Sequence, residues 1–233
     1  MPETLASIKT KVASVLQDTP ALLGTGSAGD VELAIREALE VYDDDVPRTI
    51  VADVAGDGTA YDFSLPTGFV DGYSRIVSVE YPIGDRPATL LPSDEYGLYR
   101  TTSATKVRLA TVTPDSGESF RITYTGRHTL TDLDSAAATT IYAYHTEAFV
   151  NLAAAKCLMR LANRFVHEQE STLNLDAVDR NSKTDIARRM ADKLIAAYRE
   201  VVGVTRGESP SSARVNWDAR LGGVLSPLTH RTR

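Results

Sequence analysis

The stretch from Tyr144 to His167, YHTEAFVNLAAAKCLMRLANRFVH, constrains the fold more than any other part of the chain. It is rich in residues that favour helices, and neither Gly nor Pro interrupts it. Its polar residues lie on different faces at different heights, which indicates neighbours on several sides. The sequence therefore predicts a central helix, which we call the hub, onto which the rest of the chain packs.

The middle of the hub carries three consecutive alanines, Ala153, Ala154 and Ala155. Side chains without bulk let a neighbouring helix approach closely. That helix can belong to this chain or to another copy of it, so the three alanines are candidate subunit-packing residues. Cys157 is the only cysteine, which excludes an internal disulfide. Its place in the Ala-rich helix predicts a buried apolar side chain rather than a catalytic thiol.

The composition suits a soluble globular chain of one or two domains. The 233 residues are 42% hydrophobic and 24% charged, and the net charge is −6. No apolar run approaches the roughly 20 residues of a membrane span, so we expect no membrane partner. The N-terminus, MPETLASIKTKV, lacks the apolar centre of a secretion signal, which predicts a cytosol-like compartment.

Three further amphipathic helices are predicted. Ser27 or Asp30 is available to cap the second helix, and we expect a solvated end at Asp43–Asp45. The last helix covers residues 179–202 and is followed by Gly203 as a left-handed cap. The apolar stripes of the three helices are Leu5, Ile8, Val12 and Val15; Val31, Ile35, Ala38 and Tyr42; and Ile186, Met190, Leu194, Ala197, Tyr198 and Val201.

Between Arg48 and about His128 the apolar period changes to two, with turn signals between the runs, which predicts a half-buried antiparallel sheet. The two short N-terminal helices could hardly bury their own stripes, so we expect them to pack on the later helices. The predicted fold class is therefore α+β. It comprises a helical core from residues 1–47 and 131–203, an inserted antiparallel β domain over residues 48–130, and an extended basic C-terminal arm over residues 204–233.

The arm differs in composition from everything before it. Five arginines and two acidic residues give it a net charge of +3 and leave −9 for the rest of the chain. Apolar and polar residues alternate around Trp217, so an extended conformation would place the only tryptophan on an apolar edge. An isolated strand has no reason to order, which favours docking on another subunit or protein over a disordered or folded-back tail. The candidate docking residues are Arg214, Val215, Trp217, Ala219, Arg220, Leu221, Arg231 and Arg233.

The loop Gly24–Gly29, GTGSAG, matches the dinucleotide-binding fingerprint. That fingerprint needs a strand that delivers the glycine turn to the N-terminus of a helix, where the pyrophosphate meets free amides. Here the preceding segment is an amphipathic helix, which favours a flexible loop between helices. A nucleotide-binding enzyme that uses loop 24–29 is the alternative from a different functional class.

Metal and acid–base sites are not indicated. The four histidines, His128, His145, His167 and His230, are far apart and lack zinc-site spacing. The aspartates Asp53, Asp57 and Asp62 lack the spacing and the glutamate of a calcium loop, and a hairpin turn around Asp57 is favoured. We therefore expect no catalytic residues, no metal and no cofactor.

Several local segments, taken in order, resemble the head-to-tail adaptor (connector) proteins of tailed bacteriophages, of the type with a β-domain insertion. They are GTGSAGDVELAIREAL, the strand pair DVAGDGTAYDFSLPTGFVDGYSRIVSVEYP, the hub EAFVNLAAAKCLMRLANRF, the closing amphipathic helix and the basic arm.

The resemblance implies a virion neck protein, assembled in the host cytoplasm, that forms a ring of about twelve copies beneath the portal vertex. The ring would bind the portal protein above and a downstream neck or tail-completion protein below. DNA would pass through it during ejection without specific binding. The arm would then be the portal-binding element, with Trp217 as its anchor. Another neck or tail-completion role is the nearest alternative, and the acidic body disfavours a DNA-binding regulator.

Overall fold

The computed structural model describes residues 3–17, 29–168 and 177–204, and within them the chain is an α+β protein. The strands all lie between the second and third helices. The elements are α1 (Leu5–Leu16), α2 (Asp30–Asp45), β1 (Arg48–Ala55), β2 (Asp62–Ser64), β3 (Ile76–Glu80), β4 (Tyr96–Arg100), β5 (Thr105–Leu109), β6 (Ser119–Gly126), a 3-10 turn (Ala143–His145), α3 (Thr146–Glu168) and α4 (Ala177–Val202).

Helix α3 is the hub that the sequence predicts, and it packs against α1, α2 and α4. The buried apolar residues of the four helices form one hydrophobic cluster, so the N-terminal helices do pack on the later ones. Ala153, Ala154 and Ala155 have no exposed surface inside this cluster. The close helix approach that they allow is therefore made within the chain, and they offer no surface to a second copy.

The first two helices begin with different caps. The Thr4 side chain accepts a hydrogen bond from the Ser7 backbone N–H, and the Ser7 hydroxyl oxygen accepts one from the Thr4 N–H, which is a capping box. Gly29 is the cap residue of α2, and Asp30, a predicted cap, is instead its first helical residue. At that position the negative charge of the Asp30 carboxylate is stabilised by the positive end of the helix dipole.

The β region forms two three-stranded antiparallel sheets rather than the single predicted sheet. Their strand orders are β1-β6-β3 and β2-β5-β4. A second sheet is needed because one sheet would leave an apolar face uncovered. The buried residues of the two sheets form a second hydrophobic cluster: Phe63, Val79, Val107, Leu109, Phe120, Ile122 and Tyr124.

The period-two prediction fails locally in β3. Val79 is fully buried, but Val77, two residues earlier, is exposed. A register shift between Ile76 and Ser78 against β6 explains the difference, since an extra residue in a strand reverses the faces of the residues before it.

The last helix, α4, ends as predicted, but its buried face is rotated from the predicted stripe and overlaps it only at Tyr198 and the partly buried Leu194. Gly203 has φ 78°, and its N–H donates to the Arg199 carbonyl oxygen at 2.8 Å. Of the predicted stripe, Ile186, Met190 and Val201 are 53%, 48% and 54% exposed. Within residues 183–202 of α4, the buried residues are Thr184, Ala187, Ala191 and Tyr198. Small side chains let α4 approach the hub closely, and this turns the bulky apolar residues toward solvent.

The substitution Ala154→Leu is expected to destabilise the chain by roughly 1–3 kcal/mol, because the added atoms have no space in the packed core. Ala196→Leu, at an exposed position of α4, is the matched control and should change stability by less than about 0.5 kcal/mol. Urea unfolding of the two purified variants measures both values. Equal, small effects would contradict the tight packing around the hub.

Candidate functional site: a buried joint and two exposed helix faces

The predicted docking residues of the arm lie outside the described residues. These are Arg214, Val215, Trp217, Ala219, Arg220, Leu221, Arg231 and Arg233. Of the glycine loop, Gly29 alone is described, as the cap of α2. The described residues instead contain two features that could serve an assembly: a buried polar joint between the helices and the sheets, and a pair of exposed helix faces.

The joint is centred on Asp43, at the C-terminal end of α2. Its carboxylate oxygen Oδ1 accepts a hydrogen bond from the His128 backbone N–H at 2.6 Å, and its backbone carbonyl accepts one from the Tyr73 hydroxyl at 2.7 Å. Asp43 is only 4% exposed, and burial raises the pKa of its carboxyl group. Asp43 thus ties the end of α2 to the loop before β3 and to the segment after β6.

The expectation of a solvated helix end at Asp43–Asp45 holds only for the middle residue. Asp44 is exposed, whereas Asp43 is buried and Asp45 accepts a hydrogen bond from the Tyr198 hydroxyl at 2.8 Å. Sequence alone could not separate the three carboxylates, because their roles depend on residues 30 to 153 positions away that the fold brings beside them.

The ring of His128 also contributes polar contacts to this joint. The ring nitrogen Nδ1 lies 2.9 Å from the Thr140 carbonyl oxygen, and Nε2 lies 2.8 Å from the Val46 carbonyl oxygen. The ring thus lies within hydrogen-bond distance of two backbone carbonyl oxygens, one directly after α2 and one shortly before the 3-10 turn.

His145 is linked to the joint through Tyr42, which contacts both histidines. The Tyr42 hydroxyl is 2.9 Å from Nδ1 of His145, and the Tyr42 ring packs at 4.8 Å from the His128 ring. Burial, together with the nearby His128, lowers the pKa of His145, and burial raises the pKa of Tyr42 to about 12. The neutral His145 ring can accept a hydrogen bond from the Tyr42 hydroxyl at Nδ1, and the fold thus brings together two histidines that are far apart in sequence.

The remaining candidate residues have local partners. Cys157 is buried, and burial raises the pKa of its thiol to about 12, so the thiol is protonated at neutral pH. Asp57 accepts hydrogen bonds from the N–H groups of Thr59 and Ala60 and so lies in a turn. The predicted hairpin is wrong, because β1 and β2 on either side of this turn belong to different sheets. Asp53 and Asp62 form ion pairs with Arg121 and Arg108 in the two sheets. The described residues contain no group of three or more potential metal ligands.

Two helix faces remain exposed and differ in character. The first, which we call the acidic face, is the exposed side of α2. With 100° of rotation per residue, its residues lie within about 60° of each other around the helix axis. The second, the apolar-basic face of α4, spans about 120° around its helix axis by the same measure. The acidic face consists of Leu33, Glu37, Glu40 and Asp44, and the apolar-basic face of Ile186, Arg189, Met190, Lys193 and Val201. The arc of the apolar-basic face also contains the exposed Lys183 and Glu200, so its charges are three basic and one acidic.

The two faces belong to two different helices that both pack on the hub. Both α2 and α4 make their main helix contact with α3, and they meet at one end, where Tyr198 bonds to Asp45. Arg160 of the hub pairs with Glu37 and Asp30 at the edge of the acidic face. Glu40 and Asp44 form no ion pair with another described residue, so their charges are free to meet a partner.

Comparison of the chain with models of known protein families gives no match, and comparison with curated proteins gives none. No helix in the described ranges is long and apolar enough to cross a membrane. The function proposed below is therefore drawn from the chain's own residues and geometry.

Asp43→Ala should destabilise the chain by about 1–3 kcal/mol, because it leaves the buried His128 N–H without its acceptor. Asp43→Asn keeps an oxygen acceptor and should cost less. Asp44→Ala, at the exposed neighbour, is the matched control and should stay within about 0.5 kcal/mol of the parent. Urea unfolding gives the three values, and an equal cost at positions 43 and 44 would argue against the joint.

His145 should make the folded chain less stable in mild acid. Folding lowers the pKa of His145 from its ordinary value of 6.5. The stability that the neutral ring contributes is therefore complete above pH 6.5 and is lost as the pH falls from 6.5 toward the pKa of the folded state. The melting temperature should therefore drop between pH 7.5 and pH 5.5, and His145→Asn should reduce that drop. Tyr42→Phe, which keeps the titrating ring, is the control. An unchanged drop in His145→Asn would contradict the assignment.

Proposed function

We propose that this chain is a structural virion protein, a head-to-tail adaptor that forms a ring beneath the portal vertex of a tailed bacteriophage and links the portal to the tail. The observation that carries the proposal is the order of elements. Two helices come first, the antiparallel strands of residues 48–126 follow, and then come the hub, the long helix α4 and the basic arm. The resemblance to phage adaptors implies this same order.

The exposed faces of the helices give further support. A closed ring needs a head-to-tail interface in which two different patches of the same chain meet. The acidic face of α2 and the apolar-basic face of α4 differ in charge and lie on two different helices that both pack on the hub. Two such faces supply the unlike patches from which a head-to-tail ring is built.

The charge distribution fits a channel through which DNA passes. The chain without its arm carries a net charge of −9, and tight non-specific DNA binding needs clustered lysines and arginines. An acidic ring would let DNA slide during ejection without holding it. The basic arm, in contrast, is the proposed contact with the portal protein, and a downstream neck or tail-completion protein binds the opposite side of the ring.

The alternative functions make different demands on the same segments. A dinucleotide-binding loop follows a strand, whereas the described element before loop 24–29 is helix α1 and the element after it is helix α2. Another neck or tail-completion role would use the same folded body but would not require the arm to bind the portal. The binding partner of the arm therefore distinguishes the adaptor from its nearest alternative.

Deletion of residues 208–233 should leave a folded body that no longer joins portal-bearing capsids. Within the full chain, Trp217→Ala should weaken capsid binding by roughly 30-fold, since truncation of a buried aromatic anchor typically costs about 2 kcal/mol or more. Asn216→Ala, the adjacent residue of the alternating pattern, is the matched control and should bind like the parent. Co-sedimentation with capsids measures binding, and circular dichroism checks the fold.

A photo-cross-linker at Asn216 identifies the partner directly. A cross-link to the portal protein on intact particles is the expected result. A cross-link to a tail-side protein would support a neck or tail-completion role instead. Undiminished capsid binding by the deletion variant would overturn the assignment of the arm.

A further inference from the structure

The apolar-basic face of α4 is unusual because it leaves bulky apolar side chains in water beside a well-packed core. Ile186, Met190 and Val201 are each about half exposed on one side of a single helix. Lys193 lies between them along the helix, and Arg189 lies at the edge. Exposed apolar groups with a charged rim are typical of a protein-binding surface.

The acidic face of α2 has the complementary character. Glu40 and Asp44 are exposed, and Leu33 is an exposed apolar residue on the same side of the helix. The α4 face thus presents apolar groups and an excess of positive charge over the single acidic Glu200, and the α2 face presents an apolar group and several negatively charged groups. Complementary charges fix the partner and the register of such a contact.

We propose that the apolar-basic face of α4 in one copy packs on the acidic face of α2 in the next copy, with Lys193 opposite Glu40. The inference rests on the proposed ring and names its subunit contact. Because the two faces are different, the contact is head-to-tail and repeats from copy to copy, and it forms a ring where the rotation between copies closes.

The chain's own arm is a poorer occupant of the α4 face. The arm has a net charge of +3, and the α4 face carries Arg189 and Lys193, so the two would repel each other. A second α4 is disfavoured for the same reason, because like charges would meet across a symmetric contact. The acidic face of a second copy has the opposite charge and an apolar residue of its own.

Paired cysteines test the contact. Cys157 is buried and stays protonated at neutral pH, so the wild-type chain should react little with a bis-maleimide. A chain with both Glu40→Cys and Lys193→Cys should give a ladder of covalent multimers. Each single variant alone should give none, and a mixture of the two single variants should give dimers only. This pattern is specific to a head-to-tail contact.

Charge reversal tests the same pair without cross-linking. Glu40→Lys and Lys193→Glu should each weaken self-association by roughly tenfold, because each places like charges opposite each other. The double variant should recover most of the loss, since position 193 of each copy meets position 40 of the next. Asp94→Lys, an exposed acidic residue of the β region, is the control with the same change of charge. Sedimentation velocity measures the association.

The outcomes separate this contact from the proposed function. A chain that stays monomeric at its highest soluble concentration, or cross-linking of Lys193→Cys to itself, would overturn the contact. In both cases the capsid-binding experiment still decides the adaptor role. A head-to-tail ladder from a chain that binds no capsid would sustain the contact and overturn the adaptor role.

Discussion

Close packing around the hub is the constraint on which the other features of the helical core depend. Ala153, Ala154 and Ala155 have no exposed surface, so neighbouring helices can approach α3 closely. Helix α4 meets this requirement by presenting Ala187 and Ala191 to the core. Its larger apolar residues are left on the flank, and the tight fit inside the chain thereby creates an apolar surface outside it.

The sheets are covalently connected to this core through the segments after α2 and before α3, and polar contacts also hold them against it. Asp43 accepts a hydrogen bond from the His128 backbone and from the Tyr73 hydroxyl, and the His128 ring contacts two further backbone carbonyls. Buried polar groups are expensive to leave unpaired, so each contact depends on the others. The joint thus fixes where the β region stands relative to α2, which matters for any assembly in which both parts face neighbours.

Sequence reasoning located the elements better than it located the candidate site. The hub, the buried stripe of α2 and the cap at Gly203 are local patterns, and all three are confirmed. The joint was missed because His128 and His145 have no ligand spacing and are brought together only in the fold, by contacts with Tyr42 and Tyr142. The α4 face was missed because a period of 3.6 shows which residues share a side, not which side is buried.

The sequence by itself determined the α+β class, the order of helices and strands, and the separation of a basic arm from an acidic body. Periodicity, caps and charge are properties of neighbouring residues, so they can be read without a fold. The tertiary structure alone decided that two sheets form, that the hub alanines are internal, and that Ile186 and Met190 face solvent. Burial depends on which surfaces meet in space, and that is settled by packing among residues far apart in the chain.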